Sequence, residues 1–266
     1  MNVYGVILVL LFLPSLAFAA PVGSPELLEE GATAIDVVSS YTFERDLAAT
    51  NVTDEKVENA HQSYLRFTRN MAPFFDLYGN IGVSDLAAHE RWETGEAFYL
   101  NTEFREEYGY GIFGGGGGKF AAEIYPESGW WAGLDIQTNW ARMPIRDVVR
   151  AGESSSAQSG RMTVREIQIT ALLSKRMSFG SYSVSSDYGF VPYGGVKLSW
   201  YDMEGKINFT IPSAGTSSIT TDSVGNKDKT GFIGGFEVDW RKELLFQVEG
   251  TFFDDLSLSG SLRWAF

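Results

Sequence analysis

Leu256-Ser-Leu-Ser-Gly-Ser-Leu-Arg-Trp-Ala-Phe266 closes the chain with a period of two that holds to the last residue. Leu256, Leu258, Leu262, Trp264 and Phe266 share one parity with Gly260, while Ser257, Ser259, Ser261 and Arg263 share the other with Ala265. Alternate residues of a strand point to opposite faces, so this stretch is a strand with one apolar face. That face ends in two aromatics, which is where an interfacial girdle lies when the neighbouring medium is lipid. The same parity continues backwards through the chain. Phe252 and Leu256 share a face if Phe253-Asp254-Asp255 is a tight connection, as do Trp240 and Leu244 across Arg241-Lys242-Glu243, and Met71 and Phe75 across Ala72-Pro73-Phe74.

The closing strand resembles the last strand of bacterial outer-membrane β-barrels, which ends in an aromatic residue, usually Phe. The resemblance implies recognition by the barrel-assembly machinery through the C-terminal strand. Phe74-Phe-Asp-Leu-Tyr-Gly-Asn-Ile-Gly-Val83 and Pro192-Tyr-Gly-Gly-Val-Lys-Leu-Ser199 are similar to the strand phrasing of small outer-membrane barrels of the OmpA/opacity-like and porin-like group. The fold this implies is an all-β, transmembrane, antiparallel up-and-down barrel integral to the outer membrane of a Gram-negative cell.

Composition is compatible with that fold. Hydrophobic residues make up 44% and aromatics 14% of the 266 residues, yet mean hydropathy is only -0.10, because alternation hides apolar content that a spanning helix would display as a run. After residue 20 no window of the ~18 residues a helical span needs is free of charge. The absence of Cys excludes disulfides and thiolate metal sites. A net charge of -13 speaks against nucleic acid as a partner. At the start, Val6 to Leu13 is apolar and is followed by Pro14 and Ala17-Phe18-Ala19, the plan of a signal peptide although no Lys or Arg precedes the run. The domains expected are a signal peptide over 1–19, a periplasmic lead-in over 20–31 and the barrel over 32–266.

Alternation predicts about ten strands, near 32–47, 60–71, 75–84, 108–122, 130–142, 161–176, 190–203, 231–241, 244–252 and 256–266. Long polar connections at 48–59, 85–107, 142–160 and 204–230 would form outer loops, and short ones periplasmic turns. Met177 to Tyr188 is long for a periplasmic turn and leaves room for a further hairpin, hence an alternative of twelve strands. The run Gly114 to Gly118 is followed by neither a Walker Lys-Ser/Thr pair nor a helical period, so it reads as a closely approached strand rather than a phosphate cradle.

Parity places Glu44, Arg66, Asp76, Lys119, Asp135, Glu166, Lys197, Glu237, Glu249 and Arg263 inside as lumen-lining residues, with Asp239 beside them. Trp130, Trp140, Trp200, Trp240, Trp264 and Phe266 form an aromatic girdle. An interior of this charge suggests porin-like passage of small solutes or ions through a narrow polar lumen. The alternative is a closed structural or adhesive barrel whose outer loops bind lipid or a surface partner. The outer-membrane lipid, lipopolysaccharide included, is an expected partner, with Arg142, Arg146, Arg150 and Arg161 suited to its phosphates. No catalytic residues, metal ligands or cofactors are expected, and the chain is read as a non-enzyme. His61 and His89 fall at the rim, and the remote resemblance to omptin-like rim proteases is one of architecture, since no Asp-x-His pair is found.

Overall fold

The computed structural model describes residues 21–48, 54–92, 102–150, 153–178, 188–211, 215–226, 229–240 and 243–266. Within these, the period-two stretches form strands β1 (Thr33–Ala48), β2 (Asp54–Ala72), β3 (Phe75–Trp92), β4 (Thr102–Tyr125), β5 (Trp130–Arg150), β6 (Glu153–Lys175), β7 (Met177–Ser178), β8 (Tyr188–Ile211), β9 (Gly215–Asn226), β10 (Thr230–Trp240), β11 (Leu244–Phe252) and β12 (Leu256–Ala265). The two-residue β7 pairs only with the start of β8 among the described residues; positions 179–187, where a further hairpin could lie, are outside them.

The sheet closes on itself. The order β8-β10-β11-β12-β1-β2-β3-β4-β5-β6 returns to β8 through antiparallel pairing at every step, a ring of ten strands. Both ends of the barrel sequence meet at one rim, where the Thr33 and Phe266 main chains exchange hydrogen bonds of 3.0 and 2.8 Å. This near rim also carries the tight connections at 73–74 and 126–129.

Toward the far rim the architecture changes. The β11–β12 hairpin is short and ends at Phe253-Asp254-Asp255. Beyond it β9 pairs with β8 on one side and, through Leu47↔Asn226 and Ala48↔Gly225, with β1 on the other. The wall therefore continues as eight strands: β1 to β6, β8 and β9. Strands of up to 24 residues at about 3.3 Å each are far longer than a tilted crossing of 9–11 residues, so much of this eight-stranded part stands clear of the hydrocarbon.

Side-chain alternation runs along each strand, interrupted at a few register shifts, but its chemistry reverses between the two parts. On β5, Leu134, Ile136 and Trp140 face out and Asp135, Gln137 and Asn139 face in; just beyond them Arg142 faces out and Met143 faces in. On β6, Ile167 is exposed over buried Gln168, whereas Arg161 and Arg165 are exposed beside buried Met162 and Val164. The far part is filled by an apolar cluster that includes Leu86, Tyr108, Phe113, Met143, Met162, Met203 and Ile207. It is built like a water-soluble barrel, while the near part is built for lipid.

This reversal corrects the expected outer loops. Most of 85–107, 142–160 and 204–230 that is described is strand, as is 54–59. A stretch such as Arg161-Met-Thr-Val-Arg keeps its alternation but turns its charges to the outside, so a search for apolar-out strands ends too early.

Glu44 is a second correction. A register shift between Thr42 and Glu44 in the β1–β12 pairing carries one extra residue, which turns Glu44 outward and brings Arg45 into the lumen, 3% exposed.

Inside, Arg45 meets Glu166 at 2.9 Å and Asp255 at 2.5 Å, and Lys197 meets Asp254 at 2.8 Å and Asp255 at 3.1 Å. These pairs anchor the hairpin tip where ten strands become eight. Phe253, at φ 84, turns the other way and packs on Phe232 on the outer wall. Gly231 is required beneath it, because a Cβ there would lie 2.0 Å from Asp254 Oδ1. Lys197→Met keeps the volume and leaves both carboxylates short of a partner. Its expected cost is about 3–5 kcal/mol, read as a lower temperature for the loss of folded-barrel mobility on a semi-denaturing gel.

Candidate functional site

The lumen of the near part is occupied by the chain's own residues. The segment expected as a periplasmic lead-in runs up inside the ring instead, with Pro21 to Pro25 buried. Val22 N–H donates to Glu249 Oε1 at 3.0 Å and Gly23 N–H to Glu249 Oε2 at 2.9 Å. Ser24 donates to Glu237 from its N–H at 2.8 Å and from its hydroxyl at 2.7 Å, and its carbonyl accepts from Lys119 Nζ at 2.7 Å. Lower down, Leu28 N–H reaches Asp76 at 3.1 Å and Gly31 N–H reaches Asn70 at 3.3 Å. A main chain without a sheet partner must find acceptors somewhere, and the inward carboxylates supply them.

Two features fix the segment further. Gly23 has φ +78, and a Cβ there would lie 3.0 Å from Glu237 Oε1 and 3.4 Å from Lys119 Nζ. Near the rim, Arg176 bonds Glu26 at 2.9 Å through Nε and meets Asp239 at 2.7 Å. Burial raises the Glu26 carboxyl above its ordinary value, against the opposing pull of Arg176.

Arg66, Asp76, Lys119, Asp135, Glu166, Lys197, Glu237, Glu249 and Arg263 all have buried side chains within the barrel, as does Asp239. The structure joins them into contacts rather than leaving them along a passage. Arg263 donates to Asp36 at 2.8 Å, Tyr78 to Asp135 at 2.7 Å and Arg66 to Asn80 at 3.0 Å. The space bounded by Arg66, Thr68, Asp76, Tyr78, Lys119 and Arg263 is about 10 Å³, which at most one water fills. Above it come the Arg45–Lys197 ion-pair cluster and then the apolar fill.

Trp140, Trp200, Trp240, Trp264 and Phe266 are exposed on the outer wall, and Trp130 is half-buried there with Lys175 Nζ 5.5 Å from its ring centre. Arg142, Arg146 and Arg161 project outward from the far part, while the side chain of Arg150 is outside the described residues.

Sequence reasoning passed over two features of the outer wall. The first is a cleft of about 540 Å³ lined by Pro144, Ile145, Ser159, Gly160, Arg161, Lys206 and Asn208, above the Trp140–Trp200 level. Arg161 and Lys206 are register partners there. The second is a polar cluster on β2 and β3. Ser63 Oγ lies 2.9 Å from His61 Nε2, and Asp85, opposite His61 in register, accepts the His61 main-chain N–H at 3.0 Å. The signal for it was present, since residues two apart on a strand share a face. Sequence order, however, sets His61 with His89 at the rim and Asp85 in the 85–107 connection, and only the β2–β3 register brings Asp85 opposite His61.

No protein-family model and no curated protein matches the chain. Solved structures to which it is similar include the transport unit of the autotransporter AIDA-I from Escherichia coli, at 10% identity over 92% of each chain and a TM-score of 0.42. The translocator domain of the autotransporter NalP from Neisseria meningitidis matches at 9% identity over 91% of this chain and 90% of that one, with a TM-score of 0.46. The outer membrane protein OprG from Pseudomonas aeruginosa matches at 10% identity over 92% and 99%, with a TM-score of 0.35. The chain is a closed antiparallel β-barrel whose apolar outer band and polar near lumen are the build of a membrane-spanning barrel.

The Cys-free chain offers a clean reporter of the lumen segment. Val22→Cys should resist a maleimide reagent in the folded protein. Adding Glu249→Leu, which removes the acceptor of two buried N–H groups at about 1–3 kcal/mol each, should make the same thiol react readily, as mass spectrometry would record.

Proposed function

We propose that this barrel is closed and works at its outer wall, not as a conduit. The observation that carries the reading is the Val22–Ser24 segment, hydrogen-bonded across the lumen by Glu249, Glu237 and Lys119. Of the two expectations drawn from sequence, lipid or surface binding is thereby favoured over solute passage, because the charges that suggested a channel are engaged with one another and with this segment.

The far part gives the wall something to hold. Arg165 is matched by Asp202 at 3.7 Å and Glu204 at 3.8 Å, whereas Arg161 and Lys206 line the open cleft with Asn208. The cleft stands two to four strand repeats beyond the exposed Trp140 and Trp200, on the headgroup side of an interfacial aromatic belt, where the phosphates of an outer-leaflet glycolipid lie. Guanidinium and ammonium groups side by side suit such phosphates.

Planar-bilayer recording of the mature protein should give no discrete conductance steps at an insertion level confirmed by immunodetection. Reproducible steps would overturn the closed reading. Arg161→Glu with Lys206→Glu should weaken co-purification of phosphorylated glycolipid at least tenfold by native mass spectrometry, and unchanged retention would remove the cleft from the account.

A further inference from the structure

We infer that Ser63, His61 and Asp85 form a hydrolytic site for the fatty-acyl esters of membrane lipid, a step beyond the closed-wall reading and independent of the basic cleft.

Three observations converge. The first is geometric: Ser63 Oγ and His61 Nε2 stand at 2.9 Å, within the reach expected of a nucleophile and its base. Asp85 is the carboxylate beside them, fixed by the His61 main-chain N–H at 3.0 Å and by a hydrogen bond with Tyr110. His61 Nδ1 is buried and has no hydrogen-bond partner, while the Tyr110 ring stands edge-on to the imidazole at 6.0 Å. A polar ring nitrogen left in this state on a lipid-facing wall calls for an explanation beyond sheet stability.

The second is the backbone. Register shifts flank the cluster, between Val57 and Asn59 in the β2–β3 pairing and between Ser84 and Leu86 in β3–β4. The second takes Asp85 out of the β3–β4 ladder. Irregularities of this kind re-aim side chains and gather beside active sites.

The third is height. The cluster faces outward, with Ser63 level with Val83 and His61 and Asp85 one repeat beyond it, past the exposed apolar Leu65 and Ile81, beside the level of the outward Arg142 and short of Arg105 and Glu107. Ester carbonyls of a membrane lipid lie at that same boundary, between hydrocarbon and headgroup. A water-soluble substrate would have no reason to approach this face.

The chemistry balances with water as the second reactant. Ser63 Oγ attacks the acyl carbonyl carbon as His61 Nε2 takes its proton, and the imidazolium returns that proton to the departing alcohol oxygen as the ester C–O bond breaks. Interfacial water then attacks the Ser63 ester, giving its proton to His61; the fatty acid leaves and Ser63 recovers its hydrogen. Asp85 is a positioning residue, holding the His61 backbone and setting a negative charge beside the cation that forms.

The test uses the folded, detergent-purified protein with a diacyl phospholipid in one arm and a phosphorylated acyl glycolipid in the other, following free fatty acid. Release in either arm is expected, and the arm identifies the lipid. Ser63→Ala should reduce it to background, and His61→Asn should lower it by about 10²–10⁴-fold, each in protein whose gel mobility still shifts on heating. A sulfonyl fluoride should label Ser63 in the native protein and not after unfolding. Absence of both fatty-acid release and Ser63 labelling in correctly folded protein overturns the site. Because this assay does not read conductance, a silent bilayer and an inactive wall are separate outcomes.

Discussion

A β-wall has two faces and a period of two, so every residue it contains is committed to inside or outside by its place in the register. The whole molecule is governed by how that commitment is met by two media in succession. Where the wall faces hydrocarbon, Leu134, Ile136 and Ile167 must face out, and Asp135, Gln137 and Gln168 are left inside to satisfy one another. Past Trp140 and Trp200 the medium becomes water, and the same register sends Arg142 and Arg161 out and Met143 and Met162 in. Each half then closes its own interior, one by ion pairs and hydrogen bonds, the other by apolar packing.

The change of strand number belongs to the same logic. A short β11–β12 hairpin would leave two unpaired strand edges above it, on β1 and on the chain that continues from β8. Pairing β9 with Leu47 and Ala48 of β1 removes them. The hairpin's own tip must then lie within the wall, and its carboxylates need compensation there. Arg45 and Lys197 supply it, with the Arg45 guanidinium also 4.6 Å from the Tyr201 ring centre. Arg45 reaches the lumen only because the bulge at Glu44 shifts parity by one.

Much of this was legible in the sequence and the remainder had definite reasons not to be. Ten strands follow from alternation, and the closing strand Leu256–Ala265 was visible nearly to the residue. The far halves of β4, β5, β6 and β8 were hidden because the criterion was an apolar outward face, which those residues reverse. Glu44 was misplaced because a bulge leaves no mark in a count of alternate positions. The role of residues 21–28 could not be read locally, since their partners Glu249, Glu237 and Asp76 are distant in the chain. The nearness of Ser63 to His61 was written in the strand period, but Asp85 joins them only through the β2–β3 register.

Where the chemistry of such a barrel can reside follows from what its interior is already doing. Lumen carboxylates that accept main-chain N–H groups, and lumen cations paired with carboxylates, are engaged in holding the fold, and using them elsewhere would open unsatisfied buried groups. The outer wall is under a looser constraint at one height only. Below it, hydrocarbon excludes polar side chains; above it, water and counter-ions solvate them. At the boundary itself a hydroxyl, an imidazole and a carboxylate can be kept together, shielded on one side and within reach of water on the other. His61, Ser63 and Asp85 stand in that band, and the Arg161–Lys206 cleft lies just beyond it.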